Sequence, residues 1–347
     1  MARRWGRKLD FEAGRVDMTH GSGGKAMAQL VDELFVAAFD NPLLAQRNDH
    51  AMFEVSATRM VMTTDAYVVS PLFFPGGDIG SLAVHGTIND VAMSGGRPLY
   101  LSASFILEEG FPLESLRRIV LSMANASTAA GVPIVTGDTK VVERGKGDGV
   151  FISTTGVGVV PRSVVGPSGD RAQAGDVVIA SGTLGDHGVA ILGCREGLSF
   201  ETSIESDSAP LHRLVARMVE VAPDVHVMRD PTRGGLAATL NEIAQQSGVG
   251  MVVEERAIPI RTEVAAACEL LGLDPLQLAN EGKLVAICAP GDAPRLLEAM
   301  RADPLGARAA IIGTVTDDEH RFVQIETDFG GRRILDWLAG EAMPRIC

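Results

Sequence analysis

The sequence has no apolar run of about eighteen residues, the least a membrane-spanning helix requires, so no crossing of a bilayer is expected. Its opening stretch, MARRWGRKLDFEAG, is basic but lacks the apolar core of a secretion signal, and a cytoplasmic protein is expected. Cysteines stand only at 194, 268, 288 and 347, without the short paired spacing of a zinc knuckle or a disulfide framework. The first three sit among apolar neighbours and read as core. Basic residues are outnumbered, 31 against 44, and the resulting charge of −13 excludes a general nucleic-acid binder, which must neutralise many phosphates. A small phosphorylated ligand stays open, because carboxylates can grip a divalent cation that in turn grips phosphate. Neither a low-complexity segment nor a short repeat is present.

What is there suits an α/β enzyme. Hydrophobic residues make up 46% of 347, enough for two cores, and 39 glycines punctuate the chain. Helical periodicity runs over 25–39 and 78–96, and strands are expected at 59–64 and 98–107. A helix at 113–131 leads to a strand at 132–139 that ends in a turn, placing Asp138 and Lys140 on a loop, where sites usually lie. Another strand covers 149–160. The turn-rich stretch GPSGDRAQAGD (166–176) marks a boundary, after which strands and helices alternate again. The expected division is therefore 1–165, 170–329 and a flexible tail, 330–347, able to reach about 55 Å when fully extended. A frayed end is the plainer reading of such a tail.

Several motifs carry possible chemistry. HGSGGKAM (20–27) sets a glycine-rich loop before a helix, where backbone N–H groups face an anion; it is not a Walker A loop, since Ala26 follows Gly24-Lys25, and a plain turn reads as well. Asp49, Asp65, Asp78, Asp90 and Asp138 each stand among small residues. Any one alone reads as a cap or turn former, but several converging would make a hard-cation site for Mg²⁺ and a triphosphate. In RDPTRGGLA (229–237) Asp230 and Arg233 precede a helix, where Asp230 fits a cap. In NEGKL (280–284) Glu281 falls in a turn, where solvation is the default.

Taken together, HGSGGKAM, the stretch from TTDAY to MSGG (63–96), IVTGDTKVVERGKGDGVF, RDPTRGGLA, LDPLQLANEGKL and the closing PRIC resemble the HypE family of hydrogenase maturation factors across nearly the whole chain. The resemblance implies an aminoimidazole ribonucleotide synthetase-like fold of two α/β domains, pairing as a homodimer, with ATP in a cleft under the glycine-rich segment. It implies a dehydration in which an S-carboxamide on Cys347, loaded by the carbamoyltransferase HypF, becomes a thiocyanate, whose cyano group passes to iron held by HypC and HypD. Asp49, Asp65 and Asp90 would hold the metal. His20, Gly21, Gly23, Gly24, Asn89, Gly137, Asp138 and Thr139 would border the nucleotide, with Asp230, Arg233 and Gly234 completing the cleft from the second domain.

The same resemblance assigns the removal of the amide protons to Lys140 and Glu281. A carboxylate is ready at neutral pH, so Glu281 is the simpler first base, while Lys140 either orients the amide or neutralises phosphate. His85 reads as helix-face packing or as catalytic. A surface thiol at position 347 invites oxidation and needs a reason; a mobile carrier supplies one, and tethering raises its effective concentration beside ATP. No strong activation of that thiol is expected. The rival readings are a small-molecule kinase or synthetase of the same superfamily, for which residues 344–347 would be dispensable, and a non-catalytic docking scaffold.

Overall fold

A computed structural model describes residues 8–10, 19, 24–36, 46–197, 204–337 and 345–347. Its first half is built on five strands: β1 (Ala51–Val55), β2 (Thr58–Tyr67), β5 (Arg97–Glu108), β6 (Ile134–Val142) and β7 (Val150–Val160). They lie in the order β1-β2-β7-β5-β6, antiparallel except for the parallel pair β5 and β6. Along β7 the even-numbered residues from Val150 to Val160 all face inward, the period-two signature of a half-buried strand. Two short strands, β3 (Phe73–Phe74) and β4 (Gly77–Asp78), form a hairpin at the entrance to the main helix.

That helix, α2 (Ile79–Met93), follows α1 (Lys25–Leu30) in the chain and is buried at all but three of its fifteen positions. Asp78 starts it with a capping box: Asp78 Oδ1 accepts from the amides of Gly80 (2.7 Å) and Ser81 (3.1 Å), and Ser81 Oγ accepts from the Asp78 amide. It can lie close on the sheet because Gly156 and Gly158 have no side chain beneath it. A Cβ at Gly158 would come within 2.6 Å of Val91 Cγ1. On its other side α2 meets α3 (Leu113–Ala130) and, from the second half, α5 (His212–Val221).

The second half is a seven-stranded sheet, β14-β13-β10-β12-β8-β11-β9. It comprises β8 (Val177–Ala180), β9 (Val227–Arg229), β10 (Gly250–Glu254), β11 (Val285–Cys288), β12 (Ala310–Thr316), β13 (Val323–Glu326) and β14 (Arg332–Ile334). Four more helices, α4 (Asp186–Arg195), α6 (Gly235–Ser247), α7 (Thr262–Leu271) and α8 (Ala293–Arg301), complete it. The apolar clusters ignore the boundary between the halves. Val61, Val91 and Met93 pack with Leu211, Leu214 and Met218, while Tyr67 and Ile79 share a cluster with Val189, Cys268 and Leu278.

Four expectations change. Asp138 and Lys140 lie within β6, since strand pairing with Ser104 and Ile106 carries the backbone through the segment read as a turn. The helix expected over 25–39 is α1 continued by one wider π turn, Val31–Val36, and 37–39 lie outside the described residues. The tail does not begin free at 330, because β14 pairs antiparallel with β13 and Leu335 is buried. Cys194 is exposed, unlike the buried Cys268 and Cys288.

Candidate active site

Four aspartates and one glutamate meet where the two halves touch. Asp49 precedes β1, Asp65 lies on β2, Asp90 on the last turn of α2, Asp230 directly after β9 and Glu281 on the loop before β11. Together with Arg233 and Cys347 they line a cavity of about 180 Å³. The Thr63 hydroxyl stands 2.8 Å from both the Asp49 carbonyl and Asp90 Oδ2, tying β2 to α2. The RGG bend after Asp230 demands its glycines: Gly234 and Gly235 have φ of +81° and +61°, and a Cβ on Gly235 would sit 2.5 Å from the Leu278 carbonyl. Glu281 is fixed by its backbone. Its amide donates to Asp207 Oδ1 (3.0 Å), Lys283 Nζ pairs with Asp207 Oδ2 (2.9 Å), and a Cβ on Gly282 would lie 1.8 Å from the Asp207 carbonyl.

Crowding carboxyls in a dry space makes their ionisation costly. Burial, reinforced by Asp230, pushes Asp90 well above the ordinary carboxylate range. Burial with Asp49 nearby raises Asp230 to about 8, and burial lifts Asp65 as well. Glu281 is 3% exposed, its Oε1 has no hydrogen-bond partner, and burial backed by Asp230 drives its pKa well up. The expectation that Glu281 is a carboxylate ready at neutral pH is therefore corrected for the protein without ligands.

Asp49, Asp65 and Asp90 are not a preassembled metal site. Among the described residues no three His, Cys, Asp or Glu side chains form a cluster that holds an ion. Each carboxylate has other business: Asp49 is turned onto Arg229 (3.1 Å), Asp65 Oδ1 accepts from the Ala66 amide (2.7 Å) and Asp90 faces Thr63. They nevertheless border one cavity, together with the guanidinium groups of Arg229 and Arg233.

The segment Arg345–Cys347 enters this cavity. The thiol expected at the surface is buried, 8% exposed, and Ile346 is 2% exposed. The amides of Val68 and Ser70 donate to the carbonyls of Cys347 (3.0 Å) and Arg345 (3.1 Å), extending β2 by a strand-like pairing. Arg233 Nη2 donates to Cys347 Sγ at 3.0 Å. Burial raises the Cys347 thiol to about 12 despite that guanidinium, consistent with the expectation of an unactivated nucleophile.

A second cavity of about 380 Å³ adjoins the first and shares Asp49, Arg229, Glu242 and Met27 with it. Trp337, Met27 and Met62 give it apolar walls. His50 lines it with neither ring nitrogen hydrogen-bonded, and Gln246 Oε1 and Arg229 Nη1 are likewise without partners. Burial lowers His50 to about 4, so it is neutral.

Other expected nucleotide residues are elsewhere. Asn89 lines neither cavity: its Nδ2 donates to the carbonyls of Ala209 (3.0 Å) and Glu281 (3.2 Å), and its Oδ1 accepts from the Leu211 amide, so it bridges the halves. Gly137, Asp138 and Thr139 border an open groove against α3, and Lys140 pairs with Asp138 (2.6 Å) with both side chains exposed. Gly24 precedes α1, where its carbonyl accepts from the Ala28 amide; His20, Gly21 and Gly23 lie outside the described residues. His85 Nδ1 stands 3.0 Å from Ser208 Oγ, in keeping with packing. Sequence reasoning missed Arg229, His50, His187 and Arg195. Arg229, adjacent to Asp230 in RDPTRGG, and His50, directly after Asp49, carried a signal.

The chain matches AIR synthase related proteins over two stretches, the N-terminal domain at 47–160 and the C-terminal domain at 173–326. It is 67% identical over 342 residues to the carbamoyl dehydratase HypE of Cupriavidus necator, covering 98% of this chain and 97% of that protein. A crystal structure of a HypE–HypF complex matches with a TM-score of 0.85 at 47% identity, over 89% of this chain and 99% of that one. A crystal structure of HypE in complex with ATP matches with a TM-score of 0.81 at 50% identity, over 96% and 100%. With the cleft geometry and these likenesses together, the chain belongs to the HypE family of AIR synthase related proteins.

Proposed function

We propose that the protein is an ATP-dependent carbamoyl dehydratase that turns an S-carboxamide on Cys347 into a thiocyanate, the source of a cyanide ligand for [NiFe]-hydrogenase iron. The single observation that carries this reading is the seating of Cys347 Sγ inside the carboxyl-lined cavity, 3.0 Å from Arg233. The reaction removes one water: the carboxamide oxygen attacks the γ-phosphorus, ADP departs, the nitrogen gives up both protons, and phosphate leaves with the oxygen as the C≡N bond forms.

The two adjoining cavities suit the co-substrate. Neutral His50, Gln246 Oε1 and the apolar walls offer a flat polar heterocycle the partners it needs, and the carboxyl cavity next door suits phosphates only with a cation present. Asp49, Asp65 and Asp90, with Asp230, are the residues that would hold Mg²⁺, which when bound screens phosphate charge. Cationic charge in the cavity also favours the carboxylate form of Glu281, making it a base for the amide nitrogen.

Lys140 and Asp138 reach a cleft only if a second copy supplies them. β6 is an outer strand of its sheet, and Val135 and Val141 on it are 57% and 67% exposed, with Ile106 on β5 and Val120 and Leu121 on α3 also exposed. Such an apolar edge favours pairing of the first halves in a homodimer, bringing Lys140 of one copy toward the other. HypF as the loading partner and HypC–HypD as the acceptor complete the reading, in the cytoplasm; no helix among the described residues is long and apolar enough to span a membrane. The test is the mass of the peptide ending at Cys347, from protein carbamoylated by HypF. Adding ATP should remove the mass of one water, and an unchanged carboxamide would refute the proposal.

A further inference from the structure

Three residues around the seated segment have no role assigned to them in the dehydration. His187, on α4, is fully buried, with Nδ1 2.7 Å from Ser206 Oγ and Nε2 2.8 Å from the Ile346 carbonyl. Arg195, at the end of the same helix, holds the Arg345 carbonyl at 3.0 Å while its other contacts, at 2.6 and 3.1 Å, go to the Ser70 carbonyl. Asp148, on the turn before β7, forms an ion pair with the Arg345 guanidinium, whose Nε donates to the Val68 carbonyl (2.8 Å).

These contacts come from β2, α4, the β6–β7 turn and the RGG bend, four elements remote in sequence, and they converge on three consecutive residues. Backbone pairing alone would permit the segment to slip by two residues and still bond. The side chains forbid it: Asp148 accepts only a cation at 345, the apolar cluster around Val189 and Ile191 takes Ile346, and Arg233 meets a sulfur at 347. His187 shows that the receptor is built for an occupant. Its Nε2 is enclosed, so withdrawal of the segment leaves a buried donor unsatisfied unless water enters, a cost that favours return.

We propose that this groove is a receptor that admits Arg345–Cys347 in one register, with His187 and Arg233 as positioning residues for the Cys347 sulfur and Asp148 as the group that reads Arg345. It deepens the reading of Cys347 as the carrier. Its test involves no turnover, so the two fail separately: a chain that docks but forms no thiocyanate refutes only the carrier, and one that forms thiocyanate without this docking refutes only the receptor.

The experiment is the rate of Cys347 alkylation by iodoacetamide in the full-length protein without nucleotide, read by mass spectrometry of the peptide containing it. Exposed Cys194 is an internal reference. Cys347 should react at least about tenfold more slowly than Cys194, given the burial of Ile346. Loss of one buried hydrogen bond in His187→Leu or Arg233→Ala should speed it at least about fivefold, whereas His187→Gln and Arg233→Lys, which keep a donor, should stay within about twofold. The surface pair needs no buried substitution: Arg345→Glu should speed labelling by about threefold and Asp148→Arg combined with it should restore protection. Equal labelling of Cys347 and Cys194, or a charge reversal that brings no restoration, overturns the proposal.

Discussion

Asp207 gives the sharpest test of how Glu281 is held. Its carboxylate is 5% exposed and Lys283 only 12%, so they form an ion pair almost out of reach of water. Burial opposes the Asp207 charge, yet Lys283 and the Glu281 amide hold it below the ordinary carboxylate range. Changing Asp207 to alanine strands an ammonium in the interior and takes the acceptor from the Glu281 amide, which costs about 3–5 kcal/mol. At about 2.1 cal/mol/K of unfolding entropy per residue, that lowers Tm by roughly 4–7 °C if the whole chain unfolds together. Far-UV circular dichroism on heating measures it. The Asp207→Leu, Lys283→Met protein should regain most of the loss, because the cost lies in the unpaired charge. Its dehydration activity should remain low, since Glu281 has lost its anchor. A single substitution costing under about 1 kcal/mol, or a double no better than the single, would refute this account of the loop.

Other outcomes follow from the same geometry. Glu281→Gln should lower thiocyanate formation by about 10²- to 10⁴-fold while nucleotide binding, measured by calorimetry, changes little. If Lys140 serves the cleft of a second copy, mixing inactive Lys140→Ala with inactive Glu281→Gln should recover activity through mixed dimers; no recovery at any ratio would refute its service across a dimer. His85 is pushed down to about 4 by burial, below its unfolded value near 6.5, so the neutral form is the one that folds. Its contribution to stability should be full above about pH 6.5 and fall by about 2 kcal/mol by pH 4.5, read in urea titrations as the difference between the protein and its His85→Gln variant.

Much of the architecture was legible because its determinants are local. Asp78 at the head of Asp-Ile-Gly-Ser fits a cap, and glycine closes α3, so helix limits could be read within a few residues. Segment 134–142 was not, because its glycine and aspartate imitate a turn. Gly137 is there for a different reason: a Cβ would stand 2.1 Å from the Ala103 carbonyl, so the residue permits β5 to approach, which only pairing reveals. The convergence of Asp65, Asp90, Asp230 and Glu281 came from resemblance, since no periodicity links positions so far apart. Arg233 was grouped with the nucleotide, yet its nearest partner is a sulfur 114 residues away in sequence. Asn89, conversely, read as a ligand residue and proves to be a bracket between backbones.

The apolar clusters that straddle the two halves bear on how the molecule is made. A polypeptide cut near residue 170 would yield pieces with raw faces, one presenting Val61, Val91 and Met93, the other Leu211, Leu214 and Met218. During synthesis the earlier piece emerges first and must wait, its greasy side uncovered, until the later one arrives. Quality control in the cell therefore meets this protein at the halfway point, and split-protein reporters cut there should reassemble spontaneously rather than on command.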